Sequence, residues 1–187
     1  DTVGGSGCTS DGSMTIDVDP SQVQLDNDSS EWVTVTVEVP EGKASDKYCW
    51  EIEGVVSNDQ NPNGSASDVE EFDLNVPELK ECDLSLSKTS MVIEPDESGT
   101  LIATFSNQGN ADWTLNVGFT GSQSTWASVD GASSGTLLYD NGNGEKEFTI
   151  EITPDDSVEA NSQKIITIQG KDGGIEKCNS DVSVTVG

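Results

Sequence analysis

The sequence contains no histidine and no arginine, and it sets only 8 lysines against 35 carboxylates in 187 residues. Without histidine, neither a Ser-His-Asp nor a Cys-His catalytic arrangement can form, and a zinc site lacks its usual imidazole ligands. The shortage of cations argues against nucleic acid and anionic lipid surfaces as partners, because both are bound through Lys and Arg patches. No apolar run approaches the length of a membrane span, so we expect no direct membrane insertion.

The formal net charge of -27 at pH 7 is the most unusual feature of the composition. It favours a solubilising, salt-tolerant surface of the halophilic kind, with cation binding as the alternative purpose, although the absence of arginine is not typical of extreme halophiles. Carboxylates two apart on one strand, such as Asp17/Asp19 and Glu51/Glu53, are the remaining route to catalysis. Since so many carboxylates produce such pairs by chance, we predict that the chain is not an enzyme.

Apolar residues alternate with polar ones along most of the chain. The alternation is clear in "MTIDVDP", "WVTVTVEVP", "YCWEIEG" and "EFDLNV", and it recurs in the second half, for example in "LIATF", "FTIEI" and "DVSVTV". A period of two indicates strands buried on one face, and turn-forming clusters such as "SNQGNAD" separate the runs. No stretch has a helical period. We therefore predict an all-β chain built from antiparallel β-sandwiches.

The chain also contains an internal repeat. Residues 136–170 align with residues 23–54 with only small gaps, and both segments continue through a polar loop into an alternating strand. Similarity on this scale indicates a duplicated unit. A boundary is expected near "NVPELKEC", which predicts a short or incomplete domain at residues 1–78 and a complete one at residues 79–187.

The two predicted domains differ in their number of strands. The second has about nine strand candidates, whereas the first has counterparts only for the later ones, from about Met14 onward. A half-sandwich leaves strand edges and apolar faces open, which proteins normally avoid. Three explanations stay open: the missing strands lie upstream in a longer chain, a neighbouring subunit donates a strand, or the first domain is a smaller self-contained sheet. For donation, the C-terminal "DVSVTVG" is a better candidate than the glycine-rich start.

Two oxygen-rich turns fall at matching places in the repeat. "DNDSSE" supplies Asp26, Asp28 and Glu31, and "DNGNGE" supplies the second set. Clustered hard oxygens suit Ca²⁺, the one candidate cofactor. Neither turn has the full EF-hand spacing, however, and the second equally reads as a hairpin turn, which is the favoured interpretation. The residues of the second set are Asp140, Asn143 and Glu145.

Other candidate surface sites are two N-x-S sequons, at Asn27 and Asn63, in predicted loops where glycans could be attached. Trp50 and Trp113 share the apolar phase of their strands and are expected in the core. Trp32 is out of phase with its strand and Trp126 lies near a turn, so these two are the candidates for outward-facing platforms that stack on glycans.

Parts of both domains resemble the Ig-like modules of archaeal and bacterial surface proteins, pili and secreted enzymes. A "P-x-E-S" turn, a later "N-x-G-N" and a "V-x-V-x-V-P" segment leading to a tyrosine carry the resemblance. The residues are Pro95, Glu97, Ser98, Asn107, Gly109, Asn110, Val35, Val37, Val39, Pro40 and Tyr48. The resemblance implies two tandem Ig-like antiparallel β-sandwiches in a cell-surface or filament context. It is a fold-level pattern without catalytic residues.

The four cysteines have defined places in this scheme. Cys82 precedes the first strand of the second domain and Cys178 precedes its last strand, and these two strands lie close together in Ig-like sandwiches. We expect a Cys82–Cys178 bridge and, by elimination, a Cys8–Cys49 bridge, with four unpaired buried thiols as the alternative. Two disulfides imply an oxidising, extracellular compartment.

The sequence as a whole predicts an extracellular structural or adhesive building block of a cell-surface assembly such as a filament, pilus or surface layer. Its partners would be further copies or other cell-surface proteins. The alternative is a glycan- or Ca²⁺-binding accessory module of a larger secreted protein.

Overall fold

The computed structural model describes residues 7–9, 12–26, 28–56 and 66–187. Over these ranges the chain forms thirteen strands, two single-turn 3-10 helices (Ser124–Trp126 and Asp140–Gly142) and no α-helix. The prediction of an all-β fold is therefore confirmed. Among the same residues, no helix has the length and hydropathy of a membrane span.

The chain divides into two compact units, Asp1–Pro77 and Glu78–Gly187, here called unit 1 and unit 2. The described strands of unit 1 are β1 (Thr15–Asp19), β2 (Thr34–Glu38), β3 (Asp46–Val56) and β4 (Ala66–Val76). The strands of unit 2 are β5 (Cys82–Leu86), β6 (Ser90–Ile93), β7 (Gly99–Asn107), β8 (Trp113–Thr120), β9 (Ala127–Val129), β10 (Ser134–Leu137), β11 (Glu145–Ile152), β12 (Gln163–Asp172) and β13 (Ile175–Val186).

Unit 2 is a sandwich of two sheets. One has the strand order β10-β8-β12-β13-β6 and the other the order β5-β7-β11-β9. All pairs are antiparallel except β6 with β13. The alternating apolar residues of both sheets meet in one core, in which Phe105, Leu115, Ile150, Ile168 and Val184 have no exposed surface. The alternating apolar residues predicted from the sequence therefore face the core on one side of each sheet.

Unit 1 has a smaller core. Its described strands form two two-stranded sheets, β1-β2 and β3-β4. Met14, Tyr48 and Trp50 are buried between them, and Trp50 stacks on Phe72 with ring centroids 5.4 Å apart. Further apolar residues pack against this cluster while staying partly exposed: Ile16, Val37, Leu74 and Val76. That each unit is an independent Ig-like domain stays a prediction.

Candidate functional site

One hairpin of each unit, β3-β4 and β12-β13, has the same register up to the bulge at Gly170/Lys171. In unit 1, Trp50 pairs with Phe72 and Tyr48 with Leu74. In unit 2, residues that are likewise two positions apart pair in the same antiparallel order, Ile166 with Val182 and Lys164 with Val184. Gly54 and Gly170, which the sequence repeat aligns, fall at equivalent places. The hairpin β3-β4 is therefore the counterpart of β12-β13.

The other sheet of unit 1 follows the same correspondence. Val35 pairs with Val18 and Val37 with Ile16. In unit 2, Ile150 pairs with Val129 and Ile152 with Ala127. The chain spacing identifies the partner, because β2 begins 15 residues after the end of β1 (34 − 19) and β11 begins 16 residues after the end of β9 (145 − 129). Hence β1 and β2 match β9 and β11, and the described part of unit 1 reproduces four strands of unit 2.

Among the strands of unit 2 that have no described counterpart in unit 1, β7 and β8 lie beside the counterparts of β2 and β3. There, β7 pairs with β11 along its length, from Glu145↔Ser106 to Ile152↔Gly99. Similarly, β8 pairs with Thr167–Lys171 of β12. Within the ranges that the structure describes, β2 pairs only with β1, and β3 only with β4 and with Thr9 through a single bridge. Among the described residues, the outer edges of β2 and β3 are therefore open, and the outer edges of β1 and β4 have no partner strand either.

Apolar exposure follows these open edges. Ile150, Ile152 and Ile168 of unit 2 are fully buried, but their counterparts Val35, Val37 and Ile52 are only half-buried. Val55 and Val56, at the end of β3, are 61% and 58% exposed. We call the open edges of β2 and β3, with the half-buried apolar residues beside them, the open face of unit 1. It is the candidate interaction surface.

One end of the open face is fixed by a local anchor. Cys8 and Cys49 form a disulfide, and the Thr9 backbone N–H donates to the carbonyl of Lys47 at 2.9 Å. The Thr9 hydroxyl also donates to Asp46, and this bond, together with the Lys47 backbone N–H, lowers the pKa of the Asp46 carboxyl. The anchor covers only the start of β3.

The second disulfide clamps unit 2. It joins Cys82, in the first strand of the four-stranded sheet, to Cys178, in the last strand of the five-stranded sheet. Both bridges are those expected from the sequence, and the described residues include no free cysteine.

The two tryptophans predicted to face outward differ. Trp32 is 94% exposed, and glycan stacking on it stays a prediction. For Trp126 the prediction is wrong, because the 3-10 turn directs its ring into the core, where it is 4% exposed. Its indole N–H donates to the Asp155 carboxylate at 3.0 Å.

The predicted calcium ligands do not form carboxylate clusters. Asp140 lies in a tight turn in which Asn141 and Gly142 also have positive φ. Within the described residues, no three Asp, Glu, His or Cys side chains come close enough to hold a metal ion. Calcium binding at this turn or at Asp26, Asp28 and Glu31 stays a prediction. Asn27 and Asn63 lie outside the described residues.

Comparisons with known proteins return only distant structural likeness. No protein-family model matches the chain, and no curated protein matches it. Domains 4 and 5 of the S-layer protein SbsC are 17% identical, with 87% of this chain and 88% of that chain covered and a TM-score of 0.37. PapD-like domain 7 of human CEP192 is 10% identical, with 55% and 82% covered and a TM-score of 0.35. The E. coli chaperone DraB is 15% identical, with 55% and 53% covered and a TM-score of 0.36. Likeness at this level concerns β-sandwich architecture and carries no functional weight.

Proposed function

We propose that this chain is a non-catalytic structural or adhesive building block of an extracellular cell-surface assembly, such as a filament, pilus or surface layer. The observation that carries the proposal is the open face of unit 1, since open strand edges are where chains associate by adding strands to one another's sheets. A freely diffusing protein normally covers such edges. An assembly component exposes them until its partner arrives.

Two further features support the proposal: the disulfides indicate an extracellular setting, and the net charge limits aggregation. Both cysteine pairs are disulfide-bonded, and disulfides persist mainly in oxidising compartments. The net charge of -27 keeps exposed apolar edges from uncontrolled aggregation, because like-charged molecules repel one another at low salt. The same charge makes assembly dependent on ionic strength.

Negative-stain microscopy of the protein purified from its source, with intact mass under non-reducing conditions as the identity check, tests the proposal. Ordered fibres or lattices are the expected result. Dispersed particles at all salt concentrations up to molar NaCl would rule out a structural role.

A glycan-binding accessory module is the second candidate, and the exposure of Trp32 is the observation that favours it. Exposed aromatic rings offer apolar faces on which sugars can stack. Binding to a glycan array that is lost in Trp32→Ala and kept in Trp126→Phe would place this candidate ahead of the first.

A further inference from the structure

We propose that the open face of unit 1 binds an uncharged pair of β-strands equivalent to β7 and β8, carried by a polypeptide segment outside these 187 residues. The inference uses the same open face as the proposed function, but it concerns how unit 1 is completed and not what the completed protein builds. It rests on the registers that the two units share.

The missing strands of unit 1 follow from the strand correspondence. Because β2 matches β11 and β3 matches β12, the strands that would lie on the open edges are the counterparts of β7 and β8. These two strands follow one another in the chain and lie in opposite sheets. A single two-strand segment can therefore pair with the open edges of β2 and β3 at once.

No strand or bridge among the described residues of unit 1 occupies this place on β3. In unit 2, β8 pairs with Thr167–Lys171, and the correspondence of Gly170 with Gly54 translates this stretch to residues 51–55 of β3. Thr9 bridges β3 at Tyr48, before that stretch. The anchor and the incoming strand thus use different parts of the same edge.

The occupant of the open face should carry no charge. The sequences of β7, "GTLIATFSN", and β8, "WTLNVGFT", contain no charged residue, although β7 pairs with a strand that carries Glu145, Glu147 and Glu151. The open face of unit 1 also carries carboxylates, Glu38 on β2 and Glu51 and Glu53 on β3, whereas the stretch of β12 that pairs with β8 carries none. An uncharged strand pair can approach these carboxylates without repulsion.

Charge also argues against a second copy of this chain as the occupant. Residues 1–77 contain 17 carboxylates and 2 lysines. If β3 of a second copy filled the edge, Glu51 and Glu53 of the two copies would lie beside one another, and like charges on adjacent strands destabilise a sheet.

The inner side of the occupant is fixed by the same comparison. Five core-facing residues of β7 and the start of β8 are fully or almost fully buried: Leu101, Ala103, Phe105, Trp113 and Leu115. Val117 and Phe119, in the part of β8 that pairs with β12, are partly buried against the same core. The occupant should carry large apolar residues at alternate positions, so that Val35, Val37 and Ile52 become as buried as Ile150, Ile152 and Ile168.

The test adds such a strand pair to the full chain. A second copy of residues 98–121 is joined ahead of Asp1 through a flexible Gly/Ser linker, and amide hydrogen exchange is measured over β2 and β3. We expect these strands to exchange at least about ten-fold more slowly than in the unmodified chain, while β11 and β12 stay unchanged and report that unit 2 is folded.

The matched control carries serine at the added copies of Leu101, Phe105 and Leu115, and it should give no slowing. If the fused chain is not recovered in soluble form, the same segment is added to the unmodified chain as a synthetic peptide, with the same expected protection. Unchanged exchange in both formats would overturn the proposal. So would sedimentation showing that the unmodified chain is a dimer with β2 and β3 already protected, since a second copy would then be the occupant. Failure here appears in hydrogen exchange, whereas failure of the proposed function appears in microscopy.

Discussion

Trp126 and Asp155 are linked across the edge of the unit 2 core, with the indole Nε1 donating to Asp155 Oδ2 at 3.0 Å. The Trp126 carbonyl also accepts from the Thr153 backbone N–H at 2.9 Å. A buried indole needs a partner for its N–H, and here an exposed carboxylate supplies it. The pair closes the core beside the short strand β9.

Replacing Trp126 with phenylalanine should lower the free energy of unfolding of unit 2 by about 1–3 kcal/mol, because both the hydrogen bond and part of the buried ring are lost. Urea unfolding measures the change. Trp32→Phe is the control, and it should change the stability by less than about 0.5 kcal/mol because its ring is exposed. Equal effects of the two substitutions would contradict the buried position of Trp126.

Asn107 fixes the turn that follows β7. Its side chain is 1% exposed, and its Nδ2 donates to the carbonyls of Ala111 at 2.9 Å and Leu138 at 3.1 Å. Its Oδ1 accepts from the Gly109 backbone N–H at 2.9 Å. One amide side chain therefore connects two loops.

Asn107→Ala should cost unit 2 about 2–4 kcal/mol, since it leaves several buried backbone groups without partners. Asn107→Asp should cost at least as much, because a carboxylate cannot donate to the carbonyls. Chemical denaturation of both variants beside Asn116→Ala checks this, since the Asn116 amide makes only a 3.5 Å contact with the Thr114 carbonyl. A loss no larger than that of Asn116→Ala would show that the Asn107 network does not stabilise the turn.

The strands could be predicted because alternation reports directly on burial at one sheet face. This worked for β7, β11 and β13, whose inward residues recur at every second position. It is least informative for β6 and β9, which have four and three residues and are too short to show a period. The anchors of β9, such as the Trp126–Asp155 bond, join residues 29 apart in sequence, so no local pattern contains them.

The candidate site was predictable only in part. The repeat indicated that unit 1 lacks early strands, and the open face lies where those strands would pair. The three explanations for their absence could not be separated from the sequence, because they differ in what covers β2 and β3. The exposure of Trp126 was predicted wrongly, because proximity to a turn does not determine which way a side chain points.

The acidic surface makes stability depend on ionic strength. With 35 carboxylates and 8 lysines, self-repulsion destabilises the compact state, and salt screens it. The Tm should rise from dilute buffer to molar NaCl, and each kcal/mol of relieved repulsion corresponds to roughly 4–8 °C. Differential scanning calorimetry measures the shift.

KCl at the same ionic strength should give the same shift as NaCl, since screening does not depend on the identity of the cation. A Tm that stays flat up to molar salt would contradict the electrostatic account. An additional rise with millimolar CaCl₂, at matched ionic strength, would support calcium binding at Asp26, Asp28 and Glu31 or at Asp140, Asn143 and Glu145.

The bond between Thr9 and Asp46 gives unit 1 a defined response to acid. The Thr9 hydroxyl and the Lys47 backbone N–H lower the pKa of Asp46 in the folded state. A carboxyl group whose pKa is lower in the folded than in the unfolded protein stabilises the fold above its unfolded pKa of about 3.9. That contribution is lost as the pH falls below about 4 and passes through the folded pKa.

In Thr9→Val the pKa of Asp46, measured by NMR titration, should move up towards its ordinary value, and the loss of unit 1 stability in acid should become shallower. Thr34→Val, an exposed threonine on β2, should leave the Asp46 titration unchanged. If the Asp46 pKa is the same with and without the Thr9 hydroxyl, the anchor at the start of β3 is held by the Cys8–Cys49 disulfide and the Thr9 backbone bond alone.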